Sequence, residues 1–187
     1  EIMWPRPMVI ETPEGTSVGY EDDATIIVPI TAPKTLDATS VELSASLMWL
    51  VCKDVCMMGM TDRTIELALG AHEPIESEEV AGVLALIPET FDVEKERVTF
   101  DGTTLVIRGD AKDFTDVGFL PIERPGITYE DAEIKVTRGR YEIVVPVDVN
   151  PGNALGEPLA IAGLITLGPD LDDPSFTLTL PLETPAP

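Results

Sequence analysis

From residue 41 to residue 51 the chain alternates, with Val41, Leu43, Ala45, Leu47, Trp49 and Val51 on one side and Glu42, Ser44 and Ser46 on the other. A period of two marks a strand with one face turned inward. The polar side turns apolar at Met48 and Leu50, just ahead of Cys52, so the pattern predicts a strand that ends in local hydrophobic cover. "RTIELAL" (63–69) alternates again and places Ile65, Leu67 and Leu69 inward. "ATIIVPIT" (24–31) is β-branched but interrupted by Pro29, which fits an edge or a bulge because proline cannot donate to a ladder. "VTFDGTTLVIRG" reads as a hairpin turning at Asp101-Gly102, and "AEIKVTRGRYEIVVPVDV" as a second turning at Arg138-Gly139. "LAIAGLITLG" and "SFTLTLPL" add two more strands. The exception is "SEEVAGVLALIP", where Ser77 can cap a short helix that Pro88 stops.

These elements predict an all-β protein of two immunoglobulin-like β-sandwich units with one short connecting helix. The first unit spans 1–72, a helix and linker fill 73–89, and the second unit spans 90–187, ending in a Pro-rich tail. Seventeen prolines and 14 glycines supply the many turns this requires.

Composition narrows the function classes. Hydrophobic residues make up 44% of 187 residues, enough for a packed core. Twelve Lys and Arg stand against 34 Asp and Glu, a formal charge of −22. Such a surface repels nucleic acid and anionic lipid, both of which call for clustered cations. No run approaches the roughly 20 apolar residues of a membrane span, so direct membrane insertion is not expected. The chain does not begin with Met and shows no signal peptide, which predicts a processed or excised soluble domain.

The chemistry concentrates in "LMWLVCKDVCMMGM" (47–60), which holds both cysteines and, just behind them, three of the six methionines. Four apart on a straight strand, the two Cα atoms would stand about 13 Å from each other, too far for a disulfide. A bond between Cys52 and Cys56 therefore requires a chain reversal, or one helical turn, at Lys53-Asp54-Val55. Lys53 favours a thiolate, whereas Asp54 and the acidic surface oppose it, so no strongly depressed cysteine pKa is expected. Cys52, at the end of a strand committed to packing, is expected to be the less accessible of the pair.

"WPRP" (4–7), "GYEDD" (19–23), "WLVCKDVC" (49–56), "FLPIE" (119–123) and "IAGLITLG" (161–168) together resemble the periplasmic amino-terminal region of the DsbD family of thiol:disulfide interchange proteins, in its suppressor-of-copper-sensitivity branch. The resemblance implies a periplasmic, immunoglobulin-like redox domain of a protein-disulfide reductase. Its cysteine pair would relay electrons from a membrane-embedded domain to periplasmic acceptors, with membrane-embedded and thioredoxin-like domains of the same system and periplasmic thiol-disulfide proteins as partners. Carried over by position, Cys56 would form mixed disulfides and Cys52 would resolve them, without a resident cofactor. Three departures stand out. Met58 replaces a proline usual in that branch, the stretch matching the family's aromatic cap loop (11–15) has no aromatic, and relatives carry further strands before the "WP" segment.

Other readings of the same residues differ in what they demand. Two thiolates with the thioethers of Met57, Met58 and Met60 form a soft set suited to Cu(I), which would make this a copper-tolerance domain with the site Cys52, Cys56, Met57, Met58 and Met60. Cys-x3-Cys is also the spacing of Sco-type copper proteins, whose thioredoxin fold and distant His do not fit this β-rich pattern. An inert structural disulfide in a plain interaction module is the third reading, although a five-residue loop gives such a bond little to stabilise. His72 is the only histidine and reads as a surface residue, which leaves no His-based acid–base pair. The carboxylates Glu21-Asp22-Asp23 and those of 76–79 read as solvated faces. The second unit has no cysteine or histidine and reads as scaffold or partner-binding surface.

Overall fold

The computed structural model describes residues 2–12, 15–52, 55–70, 77–93 and 97–182. His72, expected at the surface, and the Pro-rich end of the chain lie outside the described residues. Two compact units emerge. One combines residues 1–29 with 78–187, and the other comprises 30–77.

In the larger unit, strands β1 (Met8–Thr12) and β2 (Gly15–Gly19) form an antiparallel hairpin. The tract at 24–31 makes no ladder there. Only Ile27 bridges, to Met3, consistent with a segment whose Pro29 offers no donor.

The other unit contains β3 (Ser40–Cys52) and β4 (Cys56–Ala68), a two-stranded sheet in register from Ser40↔Ala68 to Cys52↔Cys56. Thus the alternating segments 41–51 and 63–69 are the two arms of one hairpin. Their apolar side is not covered as expected: Ile65 and Leu67 are exposed. A two-stranded sheet by itself supplies no second layer to bury a face against.

Back in the larger unit, the one described α-helix, α1 (Glu78–Ala85), starts directly after Ser77 and ends before Pro88. Beyond it lies the sandwich. β5 (Glu89–Thr90), β8 (Val117–Pro121), β12 (Ala160–Leu167) and β13 (Ser175–Pro181) make a four-stranded sheet in the order β5-β13-β12-β8. β6 (Val98–Phe100), β7 (Thr104–Asp110), β10 (Glu133–Thr137) and β11 (Arg140–Val149) form the path β10-β11-β7-β6, and β9 (Ile127–Tyr129) also pairs with β11. Alternate positions of both sheets meet in one core, including Leu105, Ile107, Ile143, Ile161, Ile165 and Leu178, all fully buried. This is immunoglobulin-like sandwich packing.

Both predicted turns sit where the sequence puts them. Arg138 and Gly139 take φ of 52° and 73° between β10 and β11, the left-handed pair that a two-residue hairpin requires. At the other, the Asp101 carboxylate accepts the N–H groups of Thr103 and Thr104, and these bonds hold its pKa below the usual carboxylate range.

The division of the chain differs from the expected boundary near residue 72. The first 29 residues belong with the sandwich, fastened by a buried charge. Arg6 is buried and donates to the carbonyls of Gly168 (2.6 Å), Asp170 (2.7 Å) and Asp173 (3.2 Å). The Arg6 backbone N–H reaches the Leu86 carbonyl (2.8 Å), and the ring of Trp4 stacks on Tyr20 at 6.3 Å. Burial pushes the Arg6 pKa down, countered by Asp173, Asp116, Asp170 and Asp172.

Candidate functional site

The chain reversal demanded for a Cys52–Cys56 bond is present. The last pair of the β3–β4 ladder is Cys52↔Cys56, their Cα atoms 4.0 Å apart and their sulfurs bonded at 2.04 Å. Register puts them there, and register is set lower in the hairpin. On the face that carries the disulfide, Ser40 donates to Glu66 (2.6 Å), Ser44 pairs with Thr64 (2.9 Å), and Ser46 donates to Asp62 (2.7 Å). A slip of one residue would break all three bonds and exchange the two faces of the strand.

Above those polar rungs the same face becomes apolar. Met48 lies opposite Met60, Leu50 opposite Met58, and then comes the disulfide. On the reverse face, Trp49 lies opposite Gly59 and Val51 opposite Met57. The tip is thus apolar on both sides, and Met48, Leu50, Val51, Val55, Met57, Met58 and Met60 are all exposed. Both cysteines are exposed as well, so burial does not rank them. Lys53 and Asp54, read as the local charges on the pair, lie outside the described residues.

Register also sorts the thioethers. Met58 and Met60 share the face of the cysteines, whereas Met57 is on the opposite one, because neighbours along a strand point to opposite sides. Met48 joins the cysteine face; the sequence places it in the apolar cover ahead of Cys52 but not in the candidate Cu(I) set. Its signal is symmetry: Met48 stands four residues before Cys52 as Met60 stands four after Cys56, so pairing the two cysteines pairs the two methionines. Among the described residues, no three His, Cys, Asp or Glu side chains converge as a metal site. Glu21, Asp22, Asp23, Glu78 and Glu79 are exposed, as read. No described helix is long and apolar enough to cross a membrane.

Comparison with known proteins points the same way as the hairpin motif. Residues 1–68 match the family model described as thiol:disulfide interchange protein DsbD, N-terminal. No curated protein matches the chain. In fold, 97% of this chain superposes on 72% of the N-terminal periplasmic domain of ScsB from Proteus mirabilis, at a TM-score of 0.54 and 18% identity. The family resembled by "WLVCKDVC" is therefore the one whose amino-terminal model matches residues 1–68, and nearly the whole chain is similar in fold to that periplasmic domain.

Proposed function

We propose that this chain is an exported thiol–disulfide exchange domain that relays electrons through a reversible Cys52–Cys56 disulfide. One observation carries the reading: the only disulfide the sequence permits closes an exposed hairpin tip with an apolar rim around it. A structural disulfide normally joins distant segments and closes a long loop, where it removes more unfolded-state entropy. This one joins the two members of a single cross-strand pair and lies open to a partner's sulfur.

In the forward direction the reduced domain meets a partner disulfide. The Cys56 thiolate attacks one partner sulfur, the partner S–S bond breaks, and a mixed disulfide forms as the other partner sulfur leaves as a thiolate. Cys52, deprotonated, then attacks the Cys56 sulfur. This restores the Cys52–Cys56 bond and releases the second partner thiolate, so two electrons pass to the partner. The ordering of the cysteines follows the family pattern. Exposed Met and Leu side chains supply the surface on which a thioredoxin-like domain settles, and the domain needs no cofactor of its own. The electron source in this reading is a membrane-embedded reductase, and the recipients are periplasmic thiol-disulfide proteins.

Trapping tests it. Cys52→Ser, incubated with an oxidised thioredoxin-like domain, should accumulate a mixed disulfide at Cys56, whereas Cys56→Ser should accumulate little. Equal yields would remove the asymmetry, and no adduct from either variant would remove the relay.

A second reading draws on the register. Reduced Cys52 and Cys56 share a face with Met58 and Met60, and Met48 lies on it too, a soft donor set of the kind that selects Cu(I). Met57 has no place in such a site. Anaerobic titration of the reduced protein with Cu(I) tests it, with stoichiometric binding lost on Met58→Leu as the supporting result.

A further inference from the structure

Of the six methionines in the chain, four are exposed, and all four belong to the hairpin tip. Met48, Met57, Met58 and Met60 are 70%, 66%, 68% and 73% accessible, whereas Met3 and Met8 are half-buried. Three of the four, Met48, Met58 and Met60, stand with Leu50 on the face of the disulfide. A thioether at such exposure is open to two-electron oxidants, and its sulfoxide is polar where the thioether is apolar.

We propose that Met48, Met58 and Met60 form an oxidant-sensitive modification site that controls partner docking at the disulfide. The inference rests on the relay reading above. The co-reactant is a peroxide. The thioether sulfur attacks one peroxide oxygen, the O–O bond breaks, and an S–O bond forms. The departing hydroxide takes the proton from the oxygen newly bound to sulfur, giving water and the sulfoxide, so sulfur loses two electrons and the peroxide gains them. Cys52 and Cys56, already joined, contribute no thiolate to compete. Three sulfoxides then replace the apolar rungs beside the disulfide, and a partner must desolvate them to reach Cys56. Met57 is equally exposed but faces the other way, so its oxidation leaves docking on the cysteine face alone.

The test treats the full-length, disulfide-bonded chain with hydrogen peroxide and locates added oxygen by peptide mass spectrometry. Met48, Met57, Met58 and Met60 should be oxidised ahead of Met3 and Met8. Exchange is then measured with a reduced thioredoxin-like protein and, separately, with dithiothreitol. Oxidation should slow the protein partner by about tenfold, the loss of one well-packed interface anchor, and leave dithiothreitol unaffected. Reduction by methionine sulfoxide reductases of both epimer classes should restore the rate. The triple variant Met48→Leu, Met58→Leu, Met60→Leu should hold its own starting rate through peroxide treatment, and Met57→Leu should remain sensitive. Equal slowing of both reductants, no slowing of either, or protection by Met57→Leu alone would overturn the proposal. An untreated protein that reacts with dithiothreitol but never with a protein partner would instead overturn the relay reading, and this one with it.

Discussion

The indole of Trp49 lies across the backbone of Gly59, its cross-strand partner, so closely that a Cβ at position 59 would overlap the ring. Glycine is required here for the approach. Trp49 is half exposed and can swing aside, so Gly59→Ala should cost the hairpin no more than about 1 kcal/mol while displacing the indole. In a Trp4→Phe background, which leaves Trp49 as the only tryptophan, the fluorescence maximum should shift red. An unchanged spectrum would show that the ring does not rest on residue 59.

Reduction of the disulfide should be felt in one unit and not in the other. The bond closes a loop of only five residues, Cys52 to Cys56, worth about 2 kcal/mol to the hairpin by loop entropy. The core of the sandwich contains no cysteine. Hydrogen exchange should therefore quicken at the tip of β3–β4 after reduction and remain unchanged in β7, β11 and β12. Faster exchange in those core strands would contradict the division into units.

Arg6 fastens the amino-terminal segment. Its guanidinium donates to three carbonyls of the 168–173 loop, of which that of Asp170 also accepts the Asp173 backbone N–H, and deletion removes these charged donors from the loop. Arg6→Met should destabilise the larger unit by about 2–4 kcal/mol, measured by denaturant unfolding, and should speed exchange in Met8–Gly19. A loss under about 0.5 kcal/mol would mean that the loop finds other donors.

Alkaline pH should unfold the sandwich through Tyr141. Burial pushes its phenol up to about 12 from an ordinary 10.0, and the ring packs over Gly109. Because the folded value is the higher one, the contribution to stability is complete below about pH 10, where both states keep the proton. It is lost as pH rises towards the folded value, since the unfolded chain ionises first. Burial raises Tyr20 and Tyr129 as well. Phenolate absorbance should thus appear together with unfolding above pH 10. Phenolate formed at pH 10 in a folded protein would contradict it.

The strands were legible wherever a period of two ran between clear turn residues. Arg138-Gly139 and Asp101-Gly102 both turn hairpins, and Ser77 and Pro88 bracket the helix, because those residues act locally. The pairing of 41–51 with 63–69 was not legible as a single hairpin, since alternation reports a face and not the strand's neighbour. Nor was the exposure of Ile65 and Leu67, which depends on whether a second layer exists. Arg6 escaped notice because a cation in "WPRP" looks like surface, and only the loop carbonyls of 168–173, remote in sequence, reveal its burial. The cysteine pair stood out by composition alone, but its apolar rim became a face only once register placed Met48 opposite Met60.

Whether the Cys52–Cys56 bond is exchanged in use is tested most directly by its reduction potential. The full chain is equilibrated with graded ratios of a thiol–disulfide buffer and the reduced fraction counted after acid quench and alkylation. An exposed bond closing a short loop should titrate reversibly with a potential above about −300 mV, in the range where partner proteins can reduce and reoxidise it. A potential below that value, or a bond that fails to equilibrate, would make it a structural staple and contradict the relay.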